Sequence, residues 1–240
     1  MDLILHFLLF LALIFILNFF RKHIAHSLQK VSYLFFRSSA PGVIFYSFFF
    51  LLGVTIHELS HLLTAEVLGI RTGRIRIFPE EIRSGSLKMG SVESVAADPF
   101  REALIGAAPF LVGITLITAI VFSQFRQIIS LDINSWRLLI NPVHLFLLYL
   151  VFSISNTMYV SKEDQRAWWV LPIVFFLIAS IIYVFNLTFT EFLPVFAQYF
   201  RLVNLALAVC VALDILFTLV LLITQKAGER ITGYKVVSHQ

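Results

Sequence analysis

A single cysteine, Cys210, stands in the chain of 240 residues. That excludes an internal disulfide and any zinc site built on several thiolates. Charge is scarce too: Asp, Glu, Lys and Arg make up 13% of the residues, against 59% hydrophobic ones. With a mean hydropathy of +0.91, a soluble domain is excluded, because it could not carry so much apolar surface. No internal repeat or low-complexity tract is found. The length matches one membrane domain, residues 1–240, with no large soluble appendage. The net charge of +4 and pI of about 9.3 then read as cytoplasmic loop bias, and nucleic acid is not an expected partner. The 26 phenylalanines suit contact with lipid.

The expected fold is an all-α polytopic membrane protein. About six apolar runs of near-bilayer length occur, at 3–20, 42–69, 103–125, 138–156, 168–186 and 202–224. The first has Asp2 where a signal peptide would be basic, lacks a small-residue cleavage site, and meets Arg21-Lys22 as a stop. It reads as a retained anchor. Trp136, Trp168 and Trp169 sit at span edges as interface anchors. Arg21, Lys22, Lys30 and Arg37 alone would put the first loop in the cytoplasm. The cations of the second loop, the fourth loop and the tail outnumber them, which places both termini there. The second loop, 71–100, differs in character. Arg74-Ile75-Arg76-Ile77-Phe78 alternates polar and apolar, and 86–92 does so less strictly, with Pro79 and Ser84-Gly85 as breaks between. It reads either as a small β-hairpin or as a solvated basic loop.

Within the second run lies His57-Glu58-Leu59-Ser60-His61. Histidines four apart share a helix face and can hold one zinc ion, with the intervening Glu58 free to act as general base. Ionisable side chains in a span cost about 2.5 kcal/mol or more when charged, so such a group marks a functional site. An open zinc site needs a third protein ligand and keeps one position for water. The acids on the side where this run ends are Glu66, Glu80, Glu81 and Asp164. Glu66 is turned off the histidine face, and Glu80 and Glu81 suit a solvated loop. Asp164 has a second reading, since Ser161-x-x-Asp164 fits a helix capping box. His6, His144 and Asp214 also fall in apolar runs. Asp214, mid-way through the last, is the one that interfacial placement does not explain.

Over residues 43–164 the chain resembles the site-2 protease family of intramembrane zinc metalloproteases. That family pairs its HExxH helix with a later Asn-x-x-Pro and an Asp-Gly whose Asp stands eight residues after the Asn. Asn156 and Asp164 have that separation, with Tyr159 in place of the Pro and Gln165 in place of the Gly. The family's Gly-Pro with a nearby Asn has a counterpart in Gly106-Ala107-Ala108-Pro109, with Val112 where the Asn would be. The resemblance implies a divergent member. Asp164 would be the third zinc ligand, and Asn156 would position or polarise the substrate carbonyl. Substrates would be membrane-anchored regulators, often already trimmed by another protease.

The expected activity is therefore that of an intramembrane zinc endopeptidase with one ion on His57, His61 and Asp164, and a site nearer the cytoplasmic face. A substrate helix must unwind there, because helical backbone hides its carbonyls in hydrogen bonds. The edge of a hairpin over 74–92 could hold the unwound segment by β-addition. The competing class is a membrane transporter or scaffold with a structural polar or metal cluster.

Overall fold

Apolar segments in lipid have only their own backbone for hydrogen bonding, and helix is the resulting solution. The computed structural model describes residues 2–76, 82–83, 86–87, 91–94, 98–124, 141–159, 161, 164–167, 169–184 and 192–234. In chain order, α1 (Asp2–Phe36), α2 (Ala40–Phe49) and α3 (Leu51–Val67) come first. Four short strands follow: β1 (Thr72–Arg76), β2 (Ile82–Arg83), β3 (Ser86–Leu87) and β4 (Ser91–Ser94). Then come α4 (Pro99–Gln124), α5 (Pro142–Thr157), a 3-10 turn (Asp164–Ala167), α6 (Val170–Val184) and α7 (Leu193–Thr232).

Three of these helices, α1, α4 and α7, are long and apolar enough to cross a bilayer, or four spans if the bent pair α2–α3 counts as one. The chain is accordingly read as membrane-embedded. Six spans were expected, and the difference has identifiable causes. The cations Arg21-Lys22 do not end the first helix, which runs for 35 residues. Arg21 is absorbed instead: it donates to Asn18 Oδ1 at 3.2 Å, and its guanidinium lies 4.8 Å from the centre of the Tyr159 ring. At the other extreme, α5 and α6 have 16 and 15 residues, short of the roughly 20 that a straight crossing needs.

The second expected span is broken at Phe50, where α2 and α3 meet at 63°. Neither Pro nor Gly stands at the break. The Phe49 carbonyl and the Gly53 N–H, which a continuous helix would pair, are both taken by α5. Tyr149 Oη donates to the Phe49 carbonyl at 2.6 Å, and Gly53 N–H donates to Ser153 Oγ at 3.1 Å. The bend is thus a splice held by two side chains one turn apart on α5. Phe50 itself is fully buried against Phe152 and Tyr46. Tyr149→Phe combined with Ser153→Ala is expected to lower stability in detergent by about 1 kcal/mol or somewhat more, the range of interhelical hydrogen bonds in membranes. Unfolding at the wild-type denaturant concentration would disprove the splice.

The main core is made by Leu13 and Leu17 of α1, Ile114, Ile117 and Val121 of α4, Val151 and Ile154 of α5, and Val203, Leu207 and Cys210 of α7. In the second loop β1 pairs antiparallel with β4, Ile75 facing Val92, and β2 pairs antiparallel with β3, Ile82 facing Leu87. The links between these strands lie outside the described residues, and with them part of the expected 74–92 hairpin, as do Glu80, Glu81, Trp136 and Trp168.

Candidate metal centre

His57 and His61 lie on one face of α3, as their spacing requires. The hydroxyls nearby do not compete with them. Thr55 and Ser60 each donate to the carbonyl four residues back, of Leu51 and Ile56. Helix α4 approaches α3 from the side. The Ile105 carbonyl accepts a hydrogen bond from His61 Nδ1 at 2.9 Å. A carbonyl can only accept, so Nδ1 carries a proton, and the neutral ring then presents its lone pair at Nε2. His61 Nε2 is 3.3 Å from His57 Nε2 and 3.4 Å from Asp164 Oδ1. His57 Nδ1 is buried with no hydrogen-bond partner among the described residues.

Asp164 is divided between two tasks. Its Oδ2 accepts from Ser161 N–H at 2.9 Å and from Ser161 Oγ at 2.5 Å. Its own N–H donates to Ser161 Oγ at 3.2 Å. This is a reciprocal capping box, opening the 3-10 turn. The cap fixes the carboxylate and leaves Oδ1 facing His61. The turn is seated on α4 at Gly106, where an added Cβ would fall against the Asp164 backbone, 3.0 Å from its carbonyl carbon.

Ligand atoms of His57, His61 and Asp164 all lie within 4.8 Å of one another, and this trio can hold a metal ion. Zinc bonds of about 2.0–2.2 Å at tetrahedral angles set ligand atoms roughly 3.3–3.6 Å apart; the two separations at His61 Nε2, 3.3 and 3.4 Å, fall in that range, while the trio as a whole spans up to 4.8 Å. A proton on His61 Nε2 would satisfy one neighbour; a cation among the three atoms satisfies all of them. The donor set, two imidazoles and a carboxylate, is one that divalent transition metals accept. Glu58 is buried, 4% exposed, on the same turn as His57. Glu66 is exposed and outside the trio.

Asn156 is not brought to this group. It is 3% exposed, and its amide protons go to the Phe152 carbonyl at 3.0 Å and to Asp214 Oδ1 at 2.8 Å. A role on a substrate carbonyl would require Asp214 to release it. The pair answers the question raised by Asp214, which is 1% exposed and ties α7 to α5. Two pairings were not read from the sequence: the Ile105 carbonyl with His61, and the Ser161 hydroxyl holding one oxygen of Asp164 while the other faces His61. The signals for both, Pro109 four residues after Ile105 and Ser161-x-x-Asp164, are present in the chain. No protein-family model, curated protein or solved structure matches the chain.

Proposed function

We propose that the chain is an intramembrane zinc endopeptidase, similar in its site to the site-2 proteases, which cuts membrane-anchored proteins. The supporting observation is the convergence of His57, His61 and Asp164, with a buried Glu58 next to His57 in the chain, in an apolar helical protein. Zinc held by this trio would supply Lewis acidity and bring the pKa of water at the site towards about 7. Glu58 is the carboxylate that would accept a proton from water at the site and return it to the leaving amine. His61 is held in one tautomer by the Ile105 carbonyl, and Asp164 in one rotamer by Ser161, so neither needs ordering when a substrate arrives. The paired strands between α3 and α4 offer an extended substrate a backbone edge. The reading includes a multi-pass arrangement with the site reached from the cytoplasmic side, on the basis of the loop cations.

Metal analysis of the purified protein tests this. One zinc per chain is expected. Asp164→Ala should weaken binding by more than about 100-fold, beyond what changes outside the ligand set cost. Ser161→Ala removes one of two donors to Oδ2 and should cost about 10-fold. Binding that ignores Asp164→Ala defeats the proposal.

A further inference from the structure

We propose that Pro109 is a positioning residue for the metal centre, because its missing N–H leaves the Ile105 carbonyl free to hold His61 at Nδ1. The inference rests on the zinc reading of His57, His61 and Asp164.

In an α-helix the carbonyl of residue i accepts from the N–H of residue i+4. For Ile105 that donor would be residue 109, which is proline and has none. Pro109 is buried inside α4, not at its first turn. In a membrane helix a carbonyl freed in this way must find another donor. Here the donor is His61 Nδ1–H, from the facing helix, at 2.9 Å. Helix α4 therefore contributes to the centre without supplying a ligand. A metal-binding imidazole whose second nitrogen donates to a carbonyl is fixed in tautomer and orientation. One proline in the middle of α4 accounts for a protonated Nδ1, a lone pair on Nε2, and the direction of that lone pair towards His57 and Asp164.

Pro109→Ala supplies the missing N–H and lets Ile105 bond within its own helix. It also makes α4 a better helix, so folding is not the obstacle. The comparison is with lactic acid at position 109, which has alanine's methyl group and an ester oxygen in place of N–H. Zinc affinity is measured by competition with a chelator, and the cobalt(II) absorption spectrum reports ligand geometry without any turnover. Pro109→Ala should weaken zinc binding by about 10- to 100-fold and alter the cobalt spectrum. The ester should restore both. A Pro109→Ala protein that binds zinc as the wild type does overturns this inference alone. An ester variant as weak as Pro109→Ala also overturns it, since the ring and not the freed carbonyl would then matter. Wild-type protein with no zinc on the trio overturns the metal reading and this inference together.

Discussion

Glu58→Gln is expected to abolish measurable cleavage while leaving zinc bound at wild-type affinity. Gln keeps the shape and burial of Glu58, which is 4% exposed, and the candidate ligand atoms belong to His57, His61 and Asp164. What it loses is the ability to accept a proton. General acid–base catalysis of this kind contributes about 10²- to 10⁴-fold, or about 3–5 kcal/mol of barrier at 1.36 kcal/mol per decade. The same residue is asked to act twice, as base to water and as acid to the amine, so the loss should sit at the upper end. Reconstitution with a transmembrane substrate, followed by product analysis, reads the rate, and chelator competition reads the metal. The pattern separates the classes. A transporter or scaffold using the same trio has no proton to move at Glu58 and would keep its function. Cleavage within about tenfold of wild type would remove Glu58 from the chemistry, and zinc loss in step with activity would make it part of the binding site instead.

The part of the centre carried by one helix was legible in the sequence. His57 and His61 need only a helical turn to meet, and an apolar run supplies the helix. Asp164 was legible as two competing readings, ligand face and cap, and each finds its own carboxylate oxygen: Oδ1 faces His61 and Oδ2 faces Ser161. Helix lengths were less legible. Arg21-Lys22 resembles a stop because exposed cations normally mark a membrane edge, yet Asn18 and Tyr159 accommodate the guanidinium inside a helix that continues to Phe36. The break at Phe50 left only a faint local mark, Gly53, whose missing side chain lets Ser153 approach. Its cause lies one hundred residues away in Tyr149 and Ser153, and no local propensity encodes such a partnership. The Asn156–Asp214 bond spans 58 residues for the same reason. Spacing related Asn156 to Asp164 along the chain, but packing turned it towards α7.

Gly106→Ala is expected to cost as much zinc affinity as removing Asp164 itself, although residue 106 touches no metal ligand atom. A methyl group there meets the Asp164 backbone, with the carbonyl carbon at 3.0 Å and Cα at 3.4 Å. Both are main-chain atoms in a turn held by the Ser161 cap, so no flexible side chain can swing aside. Either α4 or the turn must shift by several tenths of an ångström. Zinc ligand distances tolerate only about 0.2 Å, so the shift carries Oδ1 away from its place 3.4 Å from His61 Nε2. A loss of about 100-fold or more in zinc affinity follows. Helix propensity favours Ala over Gly by about 1 kcal/mol in α4 and offsets part of the strain, so the loss of zinc should exceed the loss of stability. Gly113→Ala on the same helix is the control. Its nearest neighbour is the Met158 side chain, with Cβ at 2.7 Å, so it strains core packing and lowers stability without reaching Asp164. If Gly106→Ala keeps zinc within about threefold of wild type, the seating of the turn on α4 does not position the third ligand, and the link from α4 to the centre is reduced to His61 alone.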